Sequence, residues 1–189
     1  MLEQLVQLDK SIFLQLNNLG STTWDGFWLF ITNKVNSIPL YLVLLFLSYK
    51  TLGVKKTVLL LITVGIMIGV TDQLANFFKY GVQRLRPCHD DEVNTLMRLV
   101  KSYCGGKYGY FSAHAANSFA VAIFFTRIMK EKYNYIGVVL LFWAAMVAYS
   151  RVYIGVHFPL DILTGTAIGV FLGWLFTKLY IFALQKFPI

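Results

Sequence analysis

The stretch TVLLLITVGIMIGVTDQLANFF, residues 57–78, decides the fold. The hydrocarbon core of a bilayer takes about 20 mostly apolar residues in a helix, and this run supplies them with Asp72 as its one ionisable group. Similar segments flank it at 24–49, 112–129, 135–153 and 159–184. In the first of these, Asn33, Lys34, Asn36 and Pro39 interrupt the apolar run, which predicts a kink or an interfacial turn. Residues 1–19 set Leu2, Leu5, Val6, Leu8, Ile12, Phe13, Leu16 and Leu19 among Gln, Asp, Lys and Asn. That is helical periodicity with a polar face, suited to a helix lying in the membrane interface. The expectation is an all-α, polytopic bundle of five or six spans. It forms one membrane-embedded domain over residues 1–189, with a polar loop at 87–111.

Composition points the same way. Of the 189 residues, 57% are hydrophobic and 14% charged, against roughly 25% charged in a soluble domain, and the mean hydropathy is +0.61. The net charge of +8 would suggest nucleic acid in a soluble chain. Beside apolar spans it reports topology and anionic headgroups instead. No nucleic acid and no obligate protein partner are expected. The N-terminus lacks the basic start and uninterrupted apolar core of a cleavable signal peptide.

Lys50, Lys55 and Lys56, then Arg127, Lys130 and Lys132, then Lys178 and Lys186 fall on one side of a five-span arrangement. Basic short loops face the cytoplasm, so the N-terminus, the loop 87–111 and the turn near residue 157 face outward. This expectation is a cytoplasmic (inner) membrane protein whose other side is the periplasm or cell exterior. Cys88 and Cys104, the only cysteines, both lie in the outward loop. They are disulfide candidates in an oxidising compartment. A zinc site is disfavoured, because His89 is the only further good ligand nearby.

Ionisable groups close to spans call for a functional explanation, and three clusters do so at outward helix ends. KYGVQRLRP, residues 79–87, places Lys79 and Arg86 about two helical turns apart, with Arg84 pointing elsewhere. Two cations on one face suit an anion with several oxygens; the plainer reading is snorkelling at a helix end. FSAH, residues 111–114, opens a span with Ser112 as a natural N-cap and His114 in the first turn. Helix N-termini bind anions, and His114 suits an acid–base role. SRVYIGVHFPLD, residues 150–161, leaves His157 in a connection that Pro159 breaks, with Asp161 four residues on. A carboxylate there can hold one imidazole nitrogen and free the other to attack.

These three stretches resemble the type 2 phosphatidic acid phosphatase superfamily, whose signature is Lys-x6-Arg-Pro, Pro-Ser-Gly-His and Ser-Arg-x5-His-x3-Asp. The first and third are complete here. The second keeps Ser112 and His114 and has Phe111 and Ala113 where the family has Pro and Gly. The resemblance spans about residues 57–175. It implies His157 as a nucleophile forming phosphohistidine, Asp161 as its orienting partner and His114 as the acid for the leaving group. Lys79, Arg86, Arg151, Ser112 and the Ala113 amide would cradle the phosphoryl oxygens. It implies no metal and no organic cofactor. Asp72, Gln73 and Tyr80 are candidates for outer support, with packing or helix–helix hydrogen bonding as the plainer reading.

The expected activity is therefore hydrolysis of a lipid phosphomonoester or pyrophosphate. Undecaprenyl pyrophosphate, phosphatidylglycerol phosphate, phosphatidic acid and lipid A are the substrates to consider, and the reading leans to a pyrophosphate. Two rivals stand beside it. One is a phosphotransferase passing the phosphoryl group to a second lipid. The other is an anion or lipid transporter, against which stand the His157–Asp161 pair and the lack of paired broken helices.

Overall fold

A computed structural model describes residues 2–187. Seven helices follow one another: α1 (Leu2–Asn18), α2 (Thr22–Thr32), α3 (Ile38–Leu52), α4 (Val54–Val82), α5 (Ala113–Met129), α6 (Ile136–Tyr153) and α7 (Pro159–Lys186). Short 3-10 turns occur at Lys34–Ser37 and Pro87–His89. Among the described residues the only β-pairing is an isolated antiparallel bridge between Leu85 and Tyr108. The all-α expectation holds.

The segment 24–49 is not one helix. It divides into α2 and α3 at Asn33–Ser37, where the Asn33 side chain caps the 3-10 turn by accepting from the Val35 N–H at 3.1 Å. A backbone interrupted by Asn33, Asn36 and Pro39 closes these local hydrogen bonds instead of continuing the helical ladder. Among the described residues, four stretches are long and apolar enough to cross a membrane: Lys34–Leu52, Val54–Val82, Ile136–Tyr153 and Pro159–Lys186. The 17-residue α5 lies at the centre, packed by α4, α6 and α7.

The closest approach is between α5 and α7. Gly165, Gly169 and Gly173 fall four apart on α7, and a Cβ at each would come within 2.6, 2.3 and 2.6 Å of the carbonyl oxygens of Ser112, Ala116 and Ala120. Small residues at this spacing let two helix backbones touch, which is how helices associate where lipid removes the hydrophobic drive. The seam continues to the helix ends, where the Ser112 N–H donates to the Asp161 carbonyl at 3.0 Å. It thereby sets the start of α5 beside the start of α7. The other faces of α3, α4 and α6 expose Leu42, Phe46, Ile62, Ile66, Val139 and Phe142, an apolar girdle suited to lipid.

Helix α1 lies across the end of the bundle that carries the starts of α5 and α7, against α6 and α7. Its outer face exposes Leu2, Leu5, Leu8 and Ile12, as an interfacial helix requires. Its inner face buries Asp9, Phe13 and Asn17. Phe13 packs edge-on against Phe158, with centroids 5.2 Å apart. Asn17 donates to the carbonyls of Arg98, Val152 and Tyr153 at 2.9–3.1 Å.

Candidate active site

The connection between α6 and α7 buries His157, which is 2% exposed, above a fully buried Asp161. The imidazole Nδ1 lies 3.3 Å from Asp161 Oδ2. That carboxylate oxygen also accepts the Phe158 N–H at 3.0 Å. Pro159 at the first position of α7 begins a helix without spending a needed donor. Asp161 is thus fixed in the first turn, and Nε2 is the free nitrogen. Burial, then the cations Arg86, Arg151 and Lys79, hold the His157 pKa well below its ordinary value. The ring is neutral, as a nucleophile must be.

A cavity of about 290 Å³ opens at the ring, lined by Lys79, Arg86, Arg151, Ala113, His114 and His157 together with Lys34, Asp72 and Asn76. The expected cations therefore meet. Lys79 and Arg86 meet by a turn, however, and not by helical periodicity. Helix α4 ends at Val82, and Gln83 adopts a left-handed φ of 54°, so spacing arguments fail beyond it. Arg86 is anchored by donating to the carbonyls of Tyr108 and Val156, each at 3.3 Å. Arg151, 6% exposed, donates from Nη1 to Thr32 Oγ1 at 2.5 Å, and its Nε is buried without a partner. Arg151 lines the cavity, so its guanidinium is placed to meet an anion there.

Ser112 and Ala113 separate. Ala113 lines the cavity, whereas Ser112 is fully buried outside it, with Oγ accepting the Ala115 N–H at 3.4 Å. Ser112 serves here as the N-cap of α5. Asp72 reaches the site and accepts from Asn117 Nδ2 at 2.8 Å, a helix–helix hydrogen bond between α4 and α5. Gln73 and Tyr80 are exposed and lie outside the cavity.

Two further cavities meet the first at Lys34 and His114. One, about 200 Å³, runs into the bundle between Tyr41, Ile68, Val121, Trp143 and Val147. The other, about 470 Å³, is walled by Leu29, Asn33, Lys34, Lys101, Tyr103 and His114.

Arg84 does point away from the cavity that Lys79 and Arg86 line, and it meets the histidine's aspartate instead. Its Nη1 donates to Asp161 Oδ1 at 2.8 Å, and its Nη2 pairs with Asp9 Oδ2. Asp9 Oδ1 accepts the Leu160 N–H at 2.9 Å. Burial alone would lower the Arg84 pKa, but Asp161 and Asp9 hold it above its ordinary value. The chain Asp9–Arg84–Asp161–His157 links the interfacial helix to the ring. The one sequence signal for Asp9 is its four-residue spacing from Phe13 and Asn17.

Cys88 and Cys104 are joined as a disulfide with Cα atoms 6.2 Å apart. It begins two residues after Arg86 and ties down the stretch of loop that carries Lys101 and Tyr103. The sulfurs and a His89 nitrogen lie within 4.8 Å of one another. The joined sulfurs are not thiolates, the form a metal requires.

The sequence matches the PAP2 superfamily over residues 56–183. It is 35% identical to the lipid A 4'-phosphatase of Bacteroides thetaiotaomicron, across 93% of this chain and 78% of that one. It is 32% identical to the lipid A 4'-phosphatase of Porphyromonas gingivalis, across 98% and 78%. The fold matches the crystal structure of a transmembrane PAP2-type phosphatidylglycerolphosphate phosphatase from Bacillus subtilis, with a TM-score of 0.73 at 20% identity, over 97% of this chain and 89% of that one. These matches, over nearly the whole of a bundle with membrane-length helices, show what the geometry alone does not name: the chain belongs to the PAP2 superfamily and is a membrane lipid phosphatase.

Proposed function

We propose that the chain removes a phosphate monoester from a saccharolipid of the lipid A type, by way of a phosphohistidine on His157. The observation that carries a lipid substrate is the junction at His114, where a cation-lined cavity and an apolar cavity meet. An amphiphile fits both at once, with its phosphate against His157 and its apolar body against Trp143, Val121 and Ile68. The two lipid A 4'-phosphatases support the saccharolipid class.

In the first step, His157 Nε2 attacks phosphorus while the bond to the leaving oxygen breaks, and His114, which takes up a proton once the phosphate dianion neutralises the cations around it, gives that oxygen the proton. Asp161 holds the Nδ1–H and stabilises the charge that forms on the ring. Lys79, Arg86, Arg151 and the Ala113 N–H stabilise the equatorial oxygens. In the second step, His114 accepts a proton from water as its oxygen attacks phosphorus. The P–N bond breaks with its electron pair returning to Nε2, and inorganic phosphate leaves. The lining offers four cations and one carboxylate, a donor set that repels metal ions, and the reaction proceeds without one. Ser112 supports the site by fixing the start of α5.

The basic residues at the opposite end, Lys50, Lys55, Lys56, Arg127, Lys130 and Lys132, support a cytoplasmic location for that end. The disulfide beside the site supports a periplasmic or exterior location for this one. The only partners required are the lipid substrate and the membrane. The test is phosphate release in detergent with EDTA present, from lipid A, phosphatidylglycerol phosphate, phosphatidic acid and undecaprenyl pyrophosphate. Wild type releases phosphate and His157→Ala does not. Label from the substrate appearing on a second lipid, with no free phosphate, would replace hydrolysis with phosphotransfer.

A further inference from the structure

Most acids in the ion pairs at the site end are committed to cations that hold the structure together. Lys10 pairs with Asp90 and Glu92, Arg84 with Asp9 and Asp161, and Arg98 with Asp25. Among the described residues, Lys34, Lys79, Arg86, Lys101 and Arg151 make no ion pair, and all five line the two polar cavities that share His114. With Asp72 as the one facing carboxylate, the net lining charge is about twice what one phosphate dianion neutralises. Uncompensated like charges gathered at one place repel one another, so this surplus is accounted for by a ligand with a second anionic group.

The geometry says where that group sits. Lys79, Arg86 and Arg151 surround the nucleophile's cavity, whereas Lys101 and Tyr103 line only the second, which reaches His114 but not His157. With His114 as the leaving-group acid, the second cavity, which it also lines, falls on the leaving-group side. Its walls are held in place. Thr32 is bound by Arg151 at 2.5 Å, which fixes the turn bearing Asn33 and Lys34. The Cys88–Cys104 disulfide fixes the loop bearing Lys101. The Lys101 ammonium stands 5.5 Å from the Tyr103 ring centroid. Its pKa is lowered by burial and then by Arg151 and Arg86, which places it within the field of the phosphate cavity.

We propose that Lys34 and Lys101 form a second anion subsite, which binds an acidic group on the leaving half of the substrate. The inference rests on His114 being the leaving-group acid. The acidic group is either the inner phosphate of a lipid diphosphate or an acidic substituent on the lipid's sugar. The shared chemistry is a second anion bonded close to the scissile phosphate. A lipid monophosphate with no other charge leaves the subsite empty.

The test compares kcat/KM for matched pairs of substrates in detergent, using the full chain. One arm sets farnesyl diphosphate against farnesyl phosphate. The other sets a lipid A 4'-phosphate bearing an acidic sugar against the same lipid without it. In wild type the doubly anionic member is preferred in at least one arm. Lys34→Ala and Lys101→Ala each lower that preference about tenfold, the scale of one charge-assisted hydrogen bond. Lys34→Arg and Lys101→Arg retain most of it, which separates lost charge from lost fold. The arm that responds names the source of the anion. A preference unaltered by both alanine variants overturns the subsite. Phosphate release surviving in His157→Ala overturns instead the catalytic reading beneath it.

Discussion

Replacing Asp9 with alanine tests whether the interfacial helix belongs to the catalytic apparatus. The carboxylate is 3% exposed and serves two donors, Arg84 and the Leu160 N–H. Removing one partner of a buried ion pair costs about 3–5 kcal/mol, and orphaning a buried N–H about 1–3 kcal/mol. One carboxylate serves both, so the losses overlap. Arg84, with 17% of its side chain exposed, regains some hydration. A net loss of about 3 kcal/mol is expected from these ranges. For a chain of this size each kcal/mol moves Tm by about 2–4 °C, so Asp9→Ala should melt roughly 6–12 °C below wild type in detergent. Arg84 then rests on Asp161 alone, drawing that carboxylate off the His157 ring. The expected kinetic signature is a kcat about tenfold lower with KM little altered, since no substrate contact is lost. Asp9→Asn keeps an acceptor for Leu160 and should fall between the two. Melting within 2 °C of wild type, with kcat intact, would refute the reasoning.

Three further outcomes follow from the geometry. The folded-state pKa of His157 lies below the unfolded value of about 6.5, so the unfolded chain binds the extra proton. The stability this ring contributes is complete above that value and declines as pH falls below it, by up to about 1.4 kcal/mol per pH unit; thermal melts from pH 8 to 5 should show a slope that His157→Gln flattens. Reducing Cys88–Cys104, which encloses a loop with a sequence separation of 16, should cost about 3 kcal/mol in the chain-entropy description, read as a lower Tm in dithiothreitol than in buffer. Gly169→Ala would set a Cβ 2.3 Å from the Ala116 carbonyl and should destabilise by about 1–3 kcal/mol or more; an unaltered melt would show that α5 and α7 part freely.

What was legible in the sequence is what depends on local pattern. The apolar lengths gave the bundle, and the spacing of His157, Pro159 and Asp161 gave the buried histidine–aspartate pair. What was hidden depends on chain reversal. Helical spacing carried Arg86 to the right place for the wrong reason, because the left-handed Gln83 ends that periodicity, and it kept Arg84 out of the cavity without showing that it meets Asp161. Lys34 read as an interruption of a span, and only the break between α2 and α3 turns it towards His114. The triplet Gly165, Gly169, Gly173 was visible as a pattern. Its meaning lay in which helix it faced, and no single-chain spacing states that.

The position of Asp9 makes the N-terminal helix and the catalytic pocket reciprocal. If seating α1 favours a properly held ring, then by linkage a ligand that favours the held ring must favour seating α1, with equal free energy in both directions. A phosphate analogue such as vanadate at His157 would then protect residues 2–18 from proteolysis and slow their amide exchange. Conversely, lipids that draw the Leu2–Leu5–Leu8 face out of register with the bundle would raise the apparent dissociation constant of that analogue. The membrane surface would thereby act as an effector of the site through α1.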